Sequence, residues 1–477
     1  MKRSLKIAVL FALNMWITGA GGCRTVGPDY HGPPRGAVVN APGAQGPFLA
    51  ASDPAFSTES APGAWWRLYD SAELDELVSA ALAANTDLRQ AQANLERSQA
   101  LLRQAQVARQ PMVGINFDPS YQQLSAESYL HPGTLPTFGL YDTGVSVGYD
   151  LDLFGRLRRG VEAATAEDQA VRAAYDLVKV NVAAETARAY ADACDAGEEL
   201  DVTRHSLQLE VQSTQTTKRL FEAGRASSLD YTRASGQVAQ IEAKIPALEA
   251  LRTNALYRLA VLMAKPPAEY PKSVESCAQA PRLLRAIPVG DGTKLLRRRP
   301  DVREAERELA AATARIGVAT ADLYPDISLG ASVGSTGVID DFLSAPTNRF
   351  GIGLAIHWQA NQNLARARIA EASAAVKGAL ARFDGVVLAA LRDTETALTT
   401  YSHDLQRDRD LATAQVRAKE AQEQAALLYV GGKIDFLSFL DAQRTLDSAE
   451  EALADSHAHL AVDQVTIFLV LGGGWST

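Results

Sequence analysis

Tyr141-Asp142-Thr143-Gly144-Val145-Ser146-Val147-Gly148-Tyr149-Asp150-Leu151-Asp152, residues 141–152, is the stretch that decides the fold. Its odd positions are apolar or aromatic, Thr143 apart, and its even positions are Asp, Gly or Ser. Successive side chains of an extended chain point to opposite faces, so this segment makes a strand with one apolar face and one polar, small face. Three further segments read the same way. Ile115 to Tyr121 alternates with Asn116, Asp118 and Ser120, and Ile327, Leu329, Ala331 and Val333 alternate with Ser328, Gly330, Ser332 and Gly334. Phe350, Ile352, Leu354, Ile356 and Trp358 alternate with Gly351, Gly353, Ala355, His357 and Gln359. About ten residues of such alternation suit a transmembrane β-barrel, apolar to lipid and polar to the lumen. Any one strand alone would fit an amphipathic sheet over a soluble core; four of them, behind the leader described below, favour the barrel. Four strands cannot close, because the smallest membrane barrels need about eight and lipid tolerates no open edge. Several chains must contribute, two giving eight strands and three giving twelve.

Long helices flank these strands. Residues 155–222 and 364–430 contain no proline, and at about 1.5 Å per residue each run would extend about 100 Å. In the second run Leu380, Phe383, Val387, Leu391, Thr394, Leu398, Tyr401 and Leu405 recur at steps of three and four. That is a coiled-coil-like stripe, and the alanines between its members permit close helix approach. The chain also repeats itself. Residues 87–111 align without gaps on 301–325, pairing Asp87 with Asp301, Arg89 with Arg303, Leu95 with Leu309 and Pro111 with Pro325. Further on, Gly224 and Leu229 fall on Gly432 and Leu437, and Ala234 on Ala442. Each copy reads helix, strand, strand, long helix, turn, helix. The fold class expected is mainly α with a membrane β part.

Composition narrows the function. The 477 residues carry a formal charge of −9, 47% hydrophobic and 7% aromatic content. Loss of Lys2, Arg3 and Lys6 with a leader would take the charge to −12. No basic patch is present, so no nucleic-acid partner is expected, and no apolar run of helical membrane length occurs beyond the N-terminus. Lys2, Arg3 and Lys6, then the apolar Ile7 to Ile17, then Ala20-Gly21-Gly22-Cys23 form a secretory signal pattern. Cys directly after small residues resembles the lipobox of bacterial lipoproteins, although Leu is usual where Ala20 stands; ordinary cleavage nearby, with Cys23 a bystander, is the competing reading. Arg24, in place of an Asp, points the anchor to the outer membrane. The organisation expected is a signal peptide over 1–22 and a lipidated, Pro-rich, extended tether over 23–64. A first repeat follows over 65–290, with strands about 112–124 and 139–153 and a tip about 222–230. A second repeat covers 291–477, with strands about 325–336 and 348–359 and a tip about 430–438.

The motifs, taken together, resemble a known family. They are Cys23-x3-Gly27-Pro28-Asp29-Tyr30, Trp65-Trp66 opening the first helix, and Leu151-Asp152-Leu153-Phe154-Gly155-Arg156. Next come Arg298-Arg299-Pro300-Asp301, Tyr324-Pro325, Tyr429-x2-Gly432-x4-Leu437-x2-Leu440-Asp441-Ala442-Gln443-Arg444, and Leu471-Gly472-Gly473-Gly474-Trp475. The chain is identified by them as a member of the outer-membrane factors, the TolC- and OprM-like efflux channels, in their NodT-type lipoprotein branch. The resemblance implies a homotrimer pooling a 12-stranded β-barrel in the outer membrane, continuous with a long periplasmic α-helical barrel and girdled near residues 266–295. It implies a periplasmic adaptor (membrane fusion) protein and an inner-membrane transporter as partners, besides outer-membrane lipid. One departure is Trp358-Gln359-Ala360-Asn361-Gln362-Asn363-Leu364, where the family has Trp-Pro-hydrophobic-Phe and then Gly-Arg.

No catalytic order, phosphate loop, cofactor motif or metal set is present, so no enzyme, cofactor or metal is expected. His457 and His459, two apart, fall on different helix faces and do not suit one metal. Cys194 and Cys277 can form a disulfide in the periplasm, or Cys194 can stay a buried thiol. By the resemblance Leu437 and Asp441 match constricting apolar and acidic rings of a periplasmic gate. Asp230 and Tyr429 match partners of the polar network that holds it shut, while Ile434 stands where a basic member is expected. Both acids also read as ordinary solvated helix-face residues. The turns Gly224, Arg225 and Ser228, and Gly432 and Lys433, are the expected adaptor-docking tips. The function expected is the passive exit duct of a tripartite pump for small toxic molecules such as drugs. The rivals are a protein-secretion channel and a periplasmic coiled-coil adaptor or scaffold lipoprotein.

Overall fold

The computed structural model describes residues 25–130, 132–283 and 285–473; Cys23 and the Gly474-Trp475 end of the last motif lie outside them. The main helices are α1 (Ala72–Ala84), α2 (Thr86–Val107), α3 (Arg156–Glu222), α4 (Ser228–Glu242) and α5 (Ile245–Leu262). They continue with α6 (Gly292–Arg298), α7 (Pro300–Ala321), α8 (Asn363–Val430) and α9 (Phe436–Val470). Helices α3 and α8 are 67 and 68 residues long and fill the two proline-free runs. Along α8 the stripe residues Phe383, Val387, Thr394, Leu398 and Tyr401 are buried. The strands are β1 (Phe56–Ser57), β2 (Met112–Gln123), β3 (Thr137–Asp150), β4 (Ile287–Pro288), β5 (Asp326–Val338) and β6 (Asn348–His357). Strands β2, β3, β5 and β6 form an antiparallel sheet in that order, while β1 and β4 pair in parallel.

Contacts divide the chain into two units. The first comprises Met1–Pro33, Leu95–Val171 and Ala305–Phe383, and holds the four-stranded sheet. Here the quoted motifs prove to be joints. Asp152, with φ +46°, accepts from the backbone N–H of Leu157 and Arg158 at 2.8 and 2.9 Å. Its carboxylate thus takes up orphan donors at the start of α3, where the helix dipole also favours negative charge. Arg159, 3% exposed, binds Asp29 at 2.6 Å and the carbonyls of Val26 and Gly27, and the Tyr30 hydroxyl donates to Glu306. Phe154 stacks on Tyr324 with centroids 4.5 Å apart. At the atypical corner the Trp358 indole and the Gln362 amide both donate to the Leu323 carbonyl, at 3.1 and 3.3 Å, and α8 begins at Asn363.

The second unit comprises Pro34–Asn94, Arg172–Glu304 and Asp384–Thr477. Its core contains Trp65 stacked on Phe468 at 4.8 Å, Phe56 against Tyr401, and the Ala-rich face of α3 from Val182 to Cys194. Two expectations fail here. The segment 34–64 is not a free extended tether: it makes short turns at Val38–Asn40, Pro42–Gln45 and Leu49–Ser52, and buries Ala37, Ala44, Phe48, Phe56 and Ala61. Its apolar side chains have no helix or strand period because the prolines set the path, yet they fill gaps between helices distant in sequence. Trp65-Trp66 opens a short 3-10 turn, Trp65–Tyr69, and not the helix, which starts after Ser71 accepts from Leu74 N–H. The Arg298-Arg299-Pro300-Asp301 motif ties the ends together. Arg298 donates to the carbonyls of Ala61, Pro62 and Gly472, and Arg299 forks onto Asp301 and reaches Val470 O. Cys194 and Cys277 are joined in a disulfide that fastens the segment after α5 to α3, so the two readings of these cysteines resolve to the bridge.

Candidate functional site

The sheet is one candidate surface. Its register aligns Ile115, Val145, Val333 and Phe350 across the strands, and Val113, Val147, Ala331 and Ile352 beside them. These side chains share one face, on which Ile115 is 82%, Phe350 90% and Ile352 78% exposed. That much apolar surface has no place in water. The opposite face carries Gly114, Ser146, Ser332 and Gly351, and then Gly144 with its partner Gly334. At this last pair the backbones approach closely: a Cβ on Gly334 would fall 2.3 Å from the Thr143 carbonyl oxygen, so only glycine fits. Beside it on the same face Asp142 gathers one residue from each other strand. Asn116 and Arg349 donate to its Oδ1 at 2.8 and 2.6 Å, and Thr336 to its Oδ2 at 2.8 Å. Among the described residues the outer edges of β2 and β6 have no strand partner.

The helical tips are the other. Both turns use one backbone device. Gly224 (φ +72°) and Gly432 (φ +68°) take the left-handed conformation that ends a helix. The N–H groups of Gly224 and Arg225 bond back to Phe221 O and Leu220 O, and those of Gly432 and Lys433 to Tyr429 O and Leu428 O. The next helix is capped by Ser227 in the first tip and by Asp435 in the second. An aromatic pair closes each turn: Phe221 on Tyr231 at 6.4 Å, and Tyr429 on Phe439 at 5.1 Å, both nearly parallel. These four rings are related by the same offset as the glycines, a signal the identical-residue alignment passes over.

The expected gate residues are placed as follows. Leu437 is 51% exposed at the start of α9. Asp441 is exposed one turn on, and its carboxylate has no partner among the described residues. Asp230 is half-buried and engaged locally, accepting from Ser227 N–H at 3.1 Å in a reciprocal capping box. Tyr429 is half-buried; burial foremost raises its hydroxyl pKa, a hydrogen bond with Thr217 opposes this, and the charge of Asp230 adds to it. Gly224, Arg225, Ser228, Gly432 and Lys433 are all exposed. Ile434, in the position expected to be basic, instead packs on the cluster of Phe436, Phe439 and Leu440. Apolar contact replaces a charge there. Behind the tips lies a feature that sequence reading missed. Glu210 is fully buried with neither carboxylate oxygen hydrogen-bonded among the described residues; burial, then the charge of Asp447, push it up to about 7 against the opposing charge of Arg444. Asp447 is raised as well, chiefly by burial, while Arg444 turns its guanidinium to Gln237 at 2.9 Å. His457 and His459 separate, the former 2.8 Å from Glu198 and the latter more than half exposed. Among the described residues no cluster suits a metal ion, and no helix is long and apolar enough to cross a membrane.

Residues 77–265 and 293–473 match the family model described as outer membrane efflux protein. Nodulation protein T of Rhizobium leguminosarum bv. viciae is 28% identical over 461 residues, 94% of this chain and 91% of that protein. The antibiotic efflux pump outer membrane protein ArpC of Pseudomonas putida is 30% identical over 469 residues, 95% of this chain and 93% of that one. Among solved structures, the outer-membrane channel OprN superposes with a TM-score of 0.88 at 34% identity, covering 95% of this chain and all of its own.

Proposed function

This chain belongs to the outer membrane efflux protein family, and on that footing we propose that three copies close into a passive exit duct for small toxic molecules such as drugs. It is a channel component of the outer membrane. The observation that carries the closed duct is the four-stranded sheet, with one exposed apolar face, one Gly- and Ser-lined face and two unpaired edges. Backbone groups at an edge cannot be left open in lipid, so the edges must pair with further copies. Three chains give twelve strands, with the apolar face to lipid and the small, polar face to the lumen. Cys23 acylation would add an anchor to the one the barrel supplies.

The tips supply the periplasmic closure. Three copies of exposed Leu437 would narrow the axis, and three Asp441 carboxylates, each without an ion-pair partner among the described residues of its chain, would repel one another and attract cations. The exposed turns at Gly224, Arg225, Ser228, Gly432 and Lys433 are the surface for a periplasmic adaptor, through which an inner-membrane transporter supplies the energy. Purified in detergent, the protein should be a trimer that conducts ions in planar bilayers, with conductance rising on Asp441→Ala. A monomer that stays soluble once delipidated sinks the duct. Unchanged conductance in Asp441→Ala sinks the gate assignment alone. Crosslinking and co-purification from cells would identify the adaptor and distinguish drug efflux from protein export.

A further inference from the structure

The polar face of the sheet is not uniform along its length. On β3, β5 and β6, from Gly144, Gly334 and Gly351 towards the helices, the side chains on this face stay no larger than Ser for three positions, while on β2 Met112 follows Gly114. Towards the hairpins the face carries Asp118, Asp142, Arg349 and the amide of Asn116. These are held in place: Asp142 accepts from Asn116, Thr336 and Arg349, Arg349 Nε also donates to Thr336 at 2.8 Å, and Asn116 donates to Asp118 at 3.2 Å. A long, mobile Arg on a pore wall would average its charge over a wide volume. Here two acceptors on neighbouring strands fix the guanidinium against the wall, so position and sign of each charge are set.

We propose that this belt, centred on Asp142, is the ion-selecting element of the duct on its hairpin side, and that Asp118, Asp142 and Arg349 are its selectivity-determining residues. The proposal rests on the three-copy closure above, which turns the seam into a ring. Two carboxylates and one guanidinium leave each chain one negative charge at this level, so the ring favours cations over anions weakly. The pairing makes the balance easy to tip in either direction. Loss of the Asp142 charge brings the ring to neutrality, loss of the Arg349 charge doubles its negative charge, and loss of both restores the original value.

A unit charge about 10 Å away in water changes an ion's local concentration about twofold, raising one sign as it lowers the other. Each substitution, present in every copy, should then move the K+/Cl− permeability ratio by about fourfold or more in dilute KCl, where screening is weak. The test is the reversal potential of single channels across a KCl gradient. Asp142→Asn and Asp118→Asn should both lower cation preference, Arg349→Gln should raise it, and the Asp142→Asn/Arg349→Gln double variant should sit near wild type. All shifts should collapse near 1 M salt, where the Debye length is about 3 Å. Asp118→Asn leaves the Asp142 hub intact and keeps the test decisive where Asp142→Asn fails to assemble. A belt that only stitches the strands together predicts lower trimer stability with no shift, or shifts of a single sign; either result overturns the proposal. Conducting channels with unaltered selectivity refute the belt alone. A wild-type protein that does not conduct refutes the duct itself.

Discussion

Replacing Glu210 with Gln should stabilise the protein at alkaline pH and leave it nearly unchanged in acid. Glu210 is completely buried on α3, neither of its oxygens has a hydrogen-bond partner among the described residues, and its pKa is driven by burial and then by Asp447 from the usual 4.5 to about 7. Below about pH 4.5 the carboxyl is neutral in the folded and the unfolded chain, and ionisation costs nothing. Between 4.5 and 7 the unfolded chain releases the proton while the folded one retains it, so stability falls as pH rises. Above 7 the full difference is lost, which at about 1.4 kcal/mol per tenfold amounts to roughly 3 kcal/mol. Gln is close in size and cannot ionise, so it removes that loss and leaves one buried amide to satisfy. The assay is thermal unfolding of the detergent-solubilised protein, wild type against Glu210→Gln, at pH 5 and pH 8.5. The comparison of interest is the change in the gap between the two proteins, which cancels every titrating group that does not interact with Glu210. A gap that is the same at both pH values, or that widens against Gln at pH 8.5, refutes the reasoning and means that Glu210 is charged and compensated in the fold.

Two more outcomes follow from the packing. The paired Cys194→Ser and Cys277→Ser substitutions open a loop spanning 83 residues, which chain entropy values at about 4.5 kcal/mol. A clear drop in unfolding temperature is expected, as is the absence of thiol reactivity at both positions in wild type denatured without reductant; two reactive thiols would exclude the bridge. Phe439→Ala removes a buried ring stacked on Tyr429, at a cost of roughly 3 kcal/mol. Amide exchange around Gly432 should accelerate by about a hundredfold, against less than about tenfold for Tyr231→Ala at the looser first tip; equal effects would show that stacking does not hold the second turn.

Much of this architecture is legible without coordinates, and the limits of that legibility have physical causes. The strands announce themselves because a half-lipid, half-lumen wall forces strict alternation, as at Val145-Ser146-Val147-Gly148. The length of α3 and α8 is readable because neither run contains a proline, and their far ends because Gly224 and Gly432 follow. The role of Asp152 is hidden because the motif containing it gives no hint that its carboxylate caps the helix that follows. Phe48 and Phe56 are unreadable as core for another reason: their partners lie hundreds of residues away, and the intervening prolines erase any period. Glu210 on a polar-looking helical stretch has the sequence appearance of a solvated acid, and only the packing of distant helices buries it. The residues proposed for the gate can be named from the sequence, but their local bonds cannot. The capping box that occupies Asp230 and the apolar packing of Ile434 are both set by the turn's own geometry.

The way residues 34–66 are built into the second unit has a consequence for how the protein is made. Trp65 stacks on Phe468, and the carbonyls of Ala61 and Pro62 wait for Arg298, which also holds Gly472. A chain delivered N-terminus first therefore emerges with residues 61–66 unable to find their seat until Phe468 and Gly472 have crossed. Contacts this remote in sequence form late and slowly. In the interval the Pro-rich segment is a substrate for proteases and holdase chaperones. Loss of the segment that holds Phe468 and Gly472 should then be felt first at residues 61–66.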